Sequence, residues 1–279
     1  YMPASNAKAI DKARNLPCDV VILDLEDAVA PDSKALAREQ AVAAVKAGGF
    51  GRRELVIRCN GLDTPWGAED LAAAAAAGPD AILVPKVNDA ADVAAYNAAI
   101  AAAPASTQLW AMIETCRCLF NLPQIAEAST SSRMTTWVMG TNDLAKELGS
   151  RFRPDRLALQ AGLGLCLLAA RAHGKIIVDG VFNAFKDEAG LKAECDQGRD
   201  MGFDGKTLIH PAQLDIANAA FAPSTAELDL ARRQIDAFAA AKAAGQGVAV
   251  VDGKIVENLH IVTAEALIAK ADMIAAMAE

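Results

Sequence analysis

Charged and amide side chains stand at the ends of several short apolar runs in the sequence. The run "VVIL" leads into "DLED", "LVI" into "RCN", and "LWAMI" into Glu114. The whole set is rich in carboxylates and holds few cations: Asp24, Glu26, Asp27, Arg58, Asn60, Lys86, Glu114, Asn142, Asp143, Asp179 and His210. Glu114 and Asp143 suit Mg²⁺, which prefers oxygen ligands and keeps waters for substrate. Arg58 suits a bidentate hold on a carboxylate or oxyanion.

Several of these residues also have a purely structural interpretation. Asn142 or Asp143 could cap the helix that begins near them. Asp27 could pair with Arg38 or Lys34 on the next helix. Lys86 could form a Schiff base or be a solvated strand end. Asp179 could accept hydrogen bonds from backbone amides in the next loop, and His210 is more often a hydrogen-bonded structural histidine than a ligand. The set contains no Ser-His-Asp arrangement, so a serine hydrolase gains little support.

Eight short apolar runs predict the strands that position these residues. They are rich in Val, Ile, Leu and Met and mostly do not alternate, which is typical of parallel strands covered on both faces. The runs are Tyr1–Pro3, Val20–Leu25, Leu55–Asn60, Ala81–Pro85, Leu109–Ile113, Thr136–Gly140, Lys175–Val181 and Lys206–Ile209. Helical stretches lie between them, so the sequence predicts an α/β fold of the (β/α)8 TIM barrel class. An open doubly wound sheet is the alternative, although no GxGxxG follows the first strand.

The pattern changes in the last quarter of the chain and predicts a C-terminal helical and hairpin extension. Helical sequence leads to "VAVVDGKIV", in which two short β runs flank Asp252-Gly253 and indicate a hairpin. A last helix follows, from Thr263 to Ala278. We therefore expect a catalytic barrel over residues 1–222. Residues 223–279 are expected to cap this barrel or a neighbouring subunit.

The composition narrows the class of protein. A net charge of −8 disfavours nucleic acid and anionic membranes as partners. No apolar run reaches the roughly 18 residues that span a bilayer, and the first residues lack the segments of a signal peptide. Six cysteines without a CxxC pair favour reduced thiols in a chain of this length. These features predict a cytoplasmic protein.

Longer motifs add a family resemblance. They follow one another over nearly the whole chain: "DVVILDLEDAVAPDSKALAR", "VIRCNG", "ILVPKVNDAADV", "WAMIETCRCLFNLPQIA", "VMGTNDLAKELG", "GFDGKTLIHPAQL" and "DGKIVE". With these motifs the sequence resembles the citrate lyase β-subunit-like proteins of the HpcH/HpaI aldolase superfamily, which include malyl-CoA and citramalyl-CoA lyases. The resemblance implies a Mg²⁺ cofactor, CoA thioester and 2-oxoacid substrates, and a homotrimer or a dimer of trimers.

The resemblance also assigns roles to residues at the strand ends. Glu114 of "IET" and Asp143 of "GTNDLA" would hold Mg²⁺. Arg58 of "VIRCN" would grip the oxygens of the 2-oxoacid or enolate. Glu26 and Asp27 of "LED" would lie next to the metal and hold its waters. A further segment would cradle the substrate carboxylate with its backbone: Gly140, Thr141 and Asn142.

Two segments depart from the family pattern. The first loop usually reads like "PGNRPERFAKA" but here reads "PASNAKAIDKA", so Asn6 replaces an arginine that commonly helps to hold the CoA phosphates. Lys8 and Lys12 are the basic residues that could bind CoA there. In the tail, "DGKIVENLH" places Glu257 where the family usually has an aspartate that protonates the enolate from a neighbouring subunit.

Together these inferences predict a Mg²⁺-dependent carbon–carbon lyase that cleaves a β-hydroxyacyl-CoA such as malyl-CoA into acetyl-CoA and glyoxylate. A malyl-CoA thioesterase is the first alternative, since it would keep the metal and Arg58 but direct water at the acyl carbon. A non-catalytic subunit of a lyase complex is the second. The intact residues Glu114, Asp143 and Arg58 argue against it, because a binding scaffold needs none of them.

Overall fold

The computed structural model describes residues 1–278, which form two compact units. The first unit is Tyr1–Ala220 and the second begins at Phe221. The first contains eight parallel strands, each paired with the next along the chain: β1 (Met2–Pro3), β2 (Val20–Asp24), β3 (Glu54–Arg58), β4 (Ala81–Val84), β5 (Gln108–Ile113), β6 (Met134–Met139), β7 (Ile176–Asp179) and β8 (Gly205–Lys206). The predicted (β/α)8 TIM barrel class is confirmed.

Helices follow the strands and cover the outside of the sheet. They are α1 (Ala7–Ala13), α2 (Lys34–Ala47), α3 (Gly67–Ala77), α4 (Ala90–Ala99), α5 (Cys116–Phe120), α6 (Leu122–Thr130), α7 (Thr141–Leu148), α8 (Leu157–Ala172), α9 (Glu188–Met201) and α10 (Leu214–Phe221), of which only Phe221 falls in the second unit. Alternate strand residues form one interior cluster: Ile22, Val56, Ala81, Leu83, Trp110, Met112 and Val138. Their neighbours on the opposite face are buried as well, including Leu23, Ile57 and Ile82. Burial on both faces explains why the strands read as continuous apolar runs.

The second unit contains a helix, a hairpin and a further helix. These elements are α11 (Thr225–Ala243), β9 (Ala249–Val251), β10 (Lys254–Val256) and α12 (Asn258–Ala278). The two strands are antiparallel, and Asp252 and Gly253 between them have positive φ angles of 51° and 74°. The hairpin predicted from Asp252-Gly253 is therefore present. The unit boundary falls two residues before the one expected from the sequence, and the capping role of this segment stays a prediction.

The six cysteines are free thiols. Cys59, Cys118, Cys166 and Cys195 are buried, and burial raises the pKa of each thiol. Over residues 1–278, no helix combines the length and the apolar character that crossing a membrane requires.

Candidate active site

Alternation along the strands decides which strand-end residues enter the barrel. Side chains two positions apart lie on the same face of a strand. The interior cluster of alternate residues therefore continues, at the carboxyl ends, into polar residues and a glycine: Asp24 on β2, Arg58 on β3, Glu114 after β5 and Gly140 after β6. Asp179 on β7 has the opposite parity, because Val178 is the residue of that strand that packs against the interior. The strand pattern thus separates site residues from structural ones.

Arg58 is held mainly by Asp24, its neighbour in the register of β2 and β3. Nε donates to Asp24 Oδ1 at 2.7 Å and Nη2 to Oδ2 at 2.5 Å. The Asp24 carboxylate also accepts from the amides of Glu26 and Ala28, at 2.8 and 3.1 Å. On the other side, the Tyr1 ring centroid lies 4.7 Å from the guanidinium carbon. The guanidinium edge that we expected to bind a substrate through two hydrogen bonds is therefore occupied by Asp24.

Glu26 and Asp27 face the third guanidinium nitrogen. Arg58 Nη1 lies 2.9 Å from Glu26 Oε2 and 3.4 Å from Asp27 Oδ2. Despite this short distance, Glu26 Oε2 is buried and has no partner with hydrogen-bond geometry among the described residues. Burial raises the pKa of Glu26 to about 7, with Arg58 opposing the shift and Asp27 adding to it. Glu26 is thus a carboxylate whose buried oxygen is ion-paired with Arg58 and can still accept a hydrogen bond.

Lys34 clamps the loop that carries Glu26. Its Nζ donates to the carbonyls of Leu25 and Glu26 at 2.8 and 2.7 Å, and to Asn60 Oδ1 at 2.8 Å. Asn60 Nδ2 in turn donates to the Leu25 carbonyl at 2.9 Å. Sequence reasoning missed this role. The available signal was a lysine in the first turn of a helix, where the helix dipole disfavours a cation, so its presence needs another cause.

Asp27 has neither of the structural partners that its sequence position suggested. Arg38 donates instead to Asp70 Oδ1 at 2.7 Å and to Glu69 Oε2 at 2.6 Å. The Lys34 ammonium group binds main-chain and amide oxygens, as described above. Asp27 is left beside Arg58 with 70% of its side chain exposed, which suits a residue at the rim of a site.

Glu114 lies almost fully buried after β5. Its Oε1 accepts a hydrogen bond from the Lys86 amide at 2.8 Å. The backbone of Gly140 passes so close that an added Cβ would collide with Glu114 Cβ and Oε2. Burial and the charge of Glu26 raise the pKa of Glu114 to about 8, and Asp143 adds to the shift. The protein therefore concentrates negative charge at this point.

The start of α7 was expected to cradle a carboxylate with its backbone. Gly140 precedes the helix, and its amide donates to the Ile113 carbonyl at 3.1 Å. That amide is therefore not free for a ligand, which corrects the expectation for Gly140. The next amides lie in the first helical turn, where no intrahelical acceptor exists: those of Thr141, Asn142 and Asp143.

The side chains of Asn142 and Asp143 do not cap α7, because no side chain makes a capping hydrogen bond there. Asn142 instead exchanges two hydrogen bonds with Asn183, at 3.2 and 2.8 Å. This pair ties α7 to the loop after β7. Asp143 is half-buried in the first turn of α7. It lies close enough to Glu114 for its charge to raise the pKa of Glu114.

The residues around Glu114 fit a divalent cation that keeps most of its waters. Within residues 1–278, no three carboxylate, imidazole or thiolate side chains surround a common metal position. Mg²⁺, however, is often held by one or two carboxylates plus water and substrate, which Glu114 and Asp143 could supply. The buried Oε2 of Glu26, which is ion-paired with Arg58 but makes no hydrogen bond within the described residues, could accept from a metal-bound water. A bound cation would also lower the raised pKa values of Glu26 and Glu114.

Asp179 and His210 have structural partners. Both Asp179 oxygens lie 2.8 Å from Arg156 Nη1, and one accepts from the Gly180 amide at 2.8 Å. The His210 ring stacks on Phe185 with centroids 4.4 Å apart. Its Nδ1 also accepts from a backbone amide two residues on, at 3.1 Å. These contacts support the structural interpretations considered for both residues.

Three predicted residues lie on exposed parts of the chain. Lys8 and Lys12 are exposed on α1. Glu257 is exposed in the second unit, between β10 and α12, where its amide donates to His260 Nδ1 at 3.0 Å. The roles of these three residues in binding and catalysis stay predictions.

Known proteins share this architecture over its full length. The family model described as HpcH/HpaI aldolase/citrate lyase matches residues 1–211. The (3S)-malyl-CoA thioesterase of Cereibacter sphaeroides (strain KD131) is 62% identical over 276 residues, covering 99% of this chain and 94% of the relative. The L-malyl-CoA/beta-methylmalyl-CoA lyase of the same strain is 34% identical over 304 residues, with equal coverage. The crystal structure of CitE from Mycobacterium tuberculosis in complex with magnesium, acetoacetate and coenzyme A matches with a TM-score of 0.80 at 29% identity, covering 97% of this chain and 96% of that chain.

These similarities contradict the predicted carbon–carbon lyase. The relatives at about 62% identity are thioesterases, whereas the lyases share only 34% of their residues with this chain. The prediction failed because it rested on Glu114, Asp143 and Arg58, and the thioesterase alternative requires the same three residues. Their presence therefore does not separate the two reactions.

The family resemblance itself is confirmed. The matching model spans residues 1–211, which covers all eight strands of the barrel. Relatives above 30% identity align over nearly the whole length of both chains. This chain belongs to the HpcH/HpaI aldolase/citrate lyase family.

Proposed function

We propose that this chain hydrolyses the thioester of a malyl-CoA-type substrate, with malate and free CoA as products. The observation that carries the proposal is the 62% identity over 276 residues with a (3S)-malyl-CoA thioesterase. Identity with a malyl-CoA lyase is 34%. Both alignments cover 99% of the chain, so the difference reflects the sequence as a whole and not one missing segment.

In this proposal, Arg58 binds an oxygen of the acyl group through Nη1, and this bond replaces the long 3.4 Å hydrogen bond from Nη1 to Asp27 Oδ2. Asp24 holds the opposite edge of the guanidinium with both carboxylate oxygens, and Tyr1 stacks against its face. The donor is therefore oriented before a substrate arrives. A preorganised donor aimed at developing negative charge typically contributes roughly 3–4 kcal/mol to transition-state stabilisation.

Glu26 is the residue best suited to take a proton from the attacking water. Its Oε2 is buried, lies 2.9 Å from Arg58 Nη1 and makes no hydrogen bond within the described residues, and a carboxylate within reach of a water can accept a proton and return it. The water oxygen attacks the thioester carbonyl carbon and passes a proton to Glu26. The carbon–sulfur bond then breaks, and the proton passes from Glu26 to the leaving CoA thiolate.

Glu114 and Asp143 would hold Mg²⁺ in this site. When bound, the metal supplies positive charge that polarises the oxygens of the acyl group. The protein contributes the position of Glu114, which is fixed by the Lys86 amide on one oxygen and by the close backbone of Gly140.

The family resemblance supports three further proposals. Lys8 and Lys12 on α1 bind the phosphates of CoA, for which exposed ammonium groups are suited. The chain acts as a homotrimer or a dimer of trimers in the cytoplasm. Glu257 of a neighbouring subunit completes each site, where its carboxylate orients the attacking water together with Asp27.

The products distinguish hydrolysis from carbon–carbon cleavage. We expect the enzyme, incubated with (3S)-malyl-CoA and Mg²⁺, to form malate and free CoA in equal amounts, with no glyoxylate. EDTA should suppress both products, because the charge that polarises the acyl oxygens is then lost. Chromatography of the acids and a thiol assay measure the outcome. Glyoxylate and acetyl-CoA as the main products would refute the proposed hydrolysis.

A further inference from the structure

Lys86 adopts a backbone conformation that lysine rarely occupies. It follows the Pro85 that ends the apolar run of β4, and its φ angle is 49°. This left-handed region is sparsely populated by residues other than glycine, asparagine and aspartate. Such a conformation persists where surrounding contacts impose it, and it is concentrated at functional sites. The contacts that hold it here come from Glu114, after β5, and from Asn88, in the same loop as Lys86.

The amide of Lys86 is the first of these contacts. It donates to Glu114 Oε1 at 2.8 Å. The peptide plane that carries this amide is shared with Pro85, and the positive φ of Lys86 turns the chain directly after it, so that the amide can stay on the carboxylate while the Lys86 carbonyl turns toward Asn88. Glu114 lies against Gly140 on its other side. The carboxylate is therefore fixed from two directions by main chain alone.

Asn88 holds the turn in place. Its Nδ2 donates to the Lys86 carbonyl at 2.7 Å, and its Oδ1 accepts from Thr115 Oγ1 at 2.6 Å. Asn121 Nδ2 then donates to the Asn88 carbonyl at 3.0 Å. These bonds join the loop after β4 to the residue that follows Glu114. The turn and the carboxylate it orients are thus parts of one hydrogen-bonded unit.

The Lys86 ammonium group makes no hydrogen bond or ion pair within the described residues, although it stands near the charges of Glu26, Glu114 and Asp143. A positive charge at this place opposes a second cation. It therefore cannot explain why Glu114 would bind Mg²⁺. The backbone amide of Lys86 thus supports a metal ligand, whereas the charge of its side chain opposes binding of a cation.

We propose that Lys86 is a positioning residue, whose left-handed backbone, held by Asn88, orients Glu114 for a divalent cation while its ammonium group is dispensable for that task. This inference rests on the metal site of the proposed function. It predicts an unusual order of Mg²⁺ affinities among variants of Lys86. Removing the whole side chain should leave the affinity intact, whereas removing the amide hydrogen should lower it.

Calorimetric titration with MgCl2 tests this order. Lys86→Gly keeps the amide and favours positive φ, so its affinity for Mg²⁺ should stay within about threefold of wild type or rise. Lys86→Pro lacks the amide and cannot reach positive φ, so its affinity should fall at least about tenfold, as when a partner of a metal ligand is lost. Asn88→Ala should lower the affinity about threefold to tenfold while keeping Lys86.

Asn97→Ala is the matched control, because Asn97 Oδ1 accepts from the Arg133 amide in another loop; it should bind Mg²⁺ like wild type. Thermal unfolding of each variant identifies a protein that has failed to fold. If Lys86→Pro does not fold, the Mg²⁺ affinity of Asn88→Ala decides the test in its place. Equal losses in Lys86→Gly and Lys86→Pro, or an unchanged Asn88→Ala, would overturn the inference, as would a wild-type protein that binds no Mg²⁺. A wild type that binds Mg²⁺ but does not hydrolyse malyl-CoA refutes the proposed function alone.

Discussion

Arg58 is a cation surrounded by acids. Asp24 holds one edge of its guanidinium, and Glu26 and Asp27 face the third nitrogen. Burial alone would lower the pKa of Arg58, but the hydrogen bonds and charge of Asp24 outweigh it and raise that pKa further. The side chain therefore combines a permanent charge with a fixed direction, which a substrate-binding donor requires.

Lysine at this position should keep the charge and lose the direction. An ammonium group cannot bind both oxygens of Asp24 and still present a second nitrogen to the substrate. We expect Arg58→Lys to lower kcat at least about 10²-fold, the scale of losing one oxyanion partner. Steady-state kinetics measure this loss. Arg38→Lys is the control, because Arg38 also pairs with two carboxylates but lies outside the site. A loss below threefold in Arg58→Lys would mean that Arg58 is structural.

The sequence located the charged residues of the site but not their partners. Glu114, Arg58 and Asp143 were identified because polar residues at the ends of apolar strands are conspicuous. The partner of Arg58 was not identified, since Asp24 lies 34 residues away and the choice depends on strand register. Lys34 was missed for the same reason, because its three acceptors come together only after β2 and β3 pair.

At the scale of elements, the site depends on the short distance between the start of α7 and the end of β5. Gly140 donates its amide to Ile113 and leaves no room for a side chain beside Glu114. The φ angle of Gly140 is −98°, which any residue can adopt. The requirement for glycine at this position is therefore one of space and not of backbone conformation.

A methyl group at Gly140 should displace Glu114. We expect Gly140→Ala to weaken Mg²⁺ binding about 10–100-fold, as when the support of a metal ligand is lost. Gly164→Ala on α8 provides the control, because a Cβ there would meet nothing within 4 Å and alanine favours helix. Calorimetry and thermal unfolding measure both variants. Unchanged Mg²⁺ affinity in Gly140→Ala would show that Glu114 can shift without consequence.

Long apolar strands could be predicted from the sequence, whereas the last strand could not be placed well. The apolar pattern suggested Lys206–Ile209, but β8 is Gly205–Lys206. Lys206 is the cause, because its fully buried side chain donates to the Gly180 carbonyl and to Glu194, each at 2.6 Å. A charged residue inside the fold has no signature in hydrophobic periodicity, so pattern reasoning moved the strand toward the neighbouring apolar residues.

At the scale of the whole molecule, the barrel was predictable and the reaction was not. The number and spacing of eight similar apolar runs were enough to predict a barrel. The choice between hydrolysis and carbon–carbon cleavage concerns where a water molecule or a proton is placed, and both reactions use the same charged residues. Overall similarity to known relatives is what favours hydrolysis for this chain.

The proposed role of Glu257 from a neighbouring subunit predicts complementation between inactive variants. Glu257→Ala alone should lower hydrolysis about 10²-fold, the scale of misplacing a reacting group, and Glu114→Ala should be inactive. In mixed oligomers, about a quarter of the sites should then combine one intact barrel with one intact Glu257, if the contact is heterologous. Co-refolded mixtures measure the recovery of activity.

Mixtures of Glu114→Ala with Arg58→Lys serve as the control, because both residues belong to the same barrel and no site can regain both. Recovery in the first mixture and not in the second supports the shared site. If the first mixture stays inactive, Glu257 acts within its own chain or takes no part in the reaction.

The six thiols have a consequence for the chemistry proposed here. Every turnover would release CoA, a free thiol that forms mixed disulfides with reactive cysteines after oxidation. Reactive cysteines have a lowered pKa, but each of the six thiols in this chain has its pKa raised, foremost by burial. If the proposed hydrolysis holds, the chain would thus present no activated sulfur to the CoA that it releases.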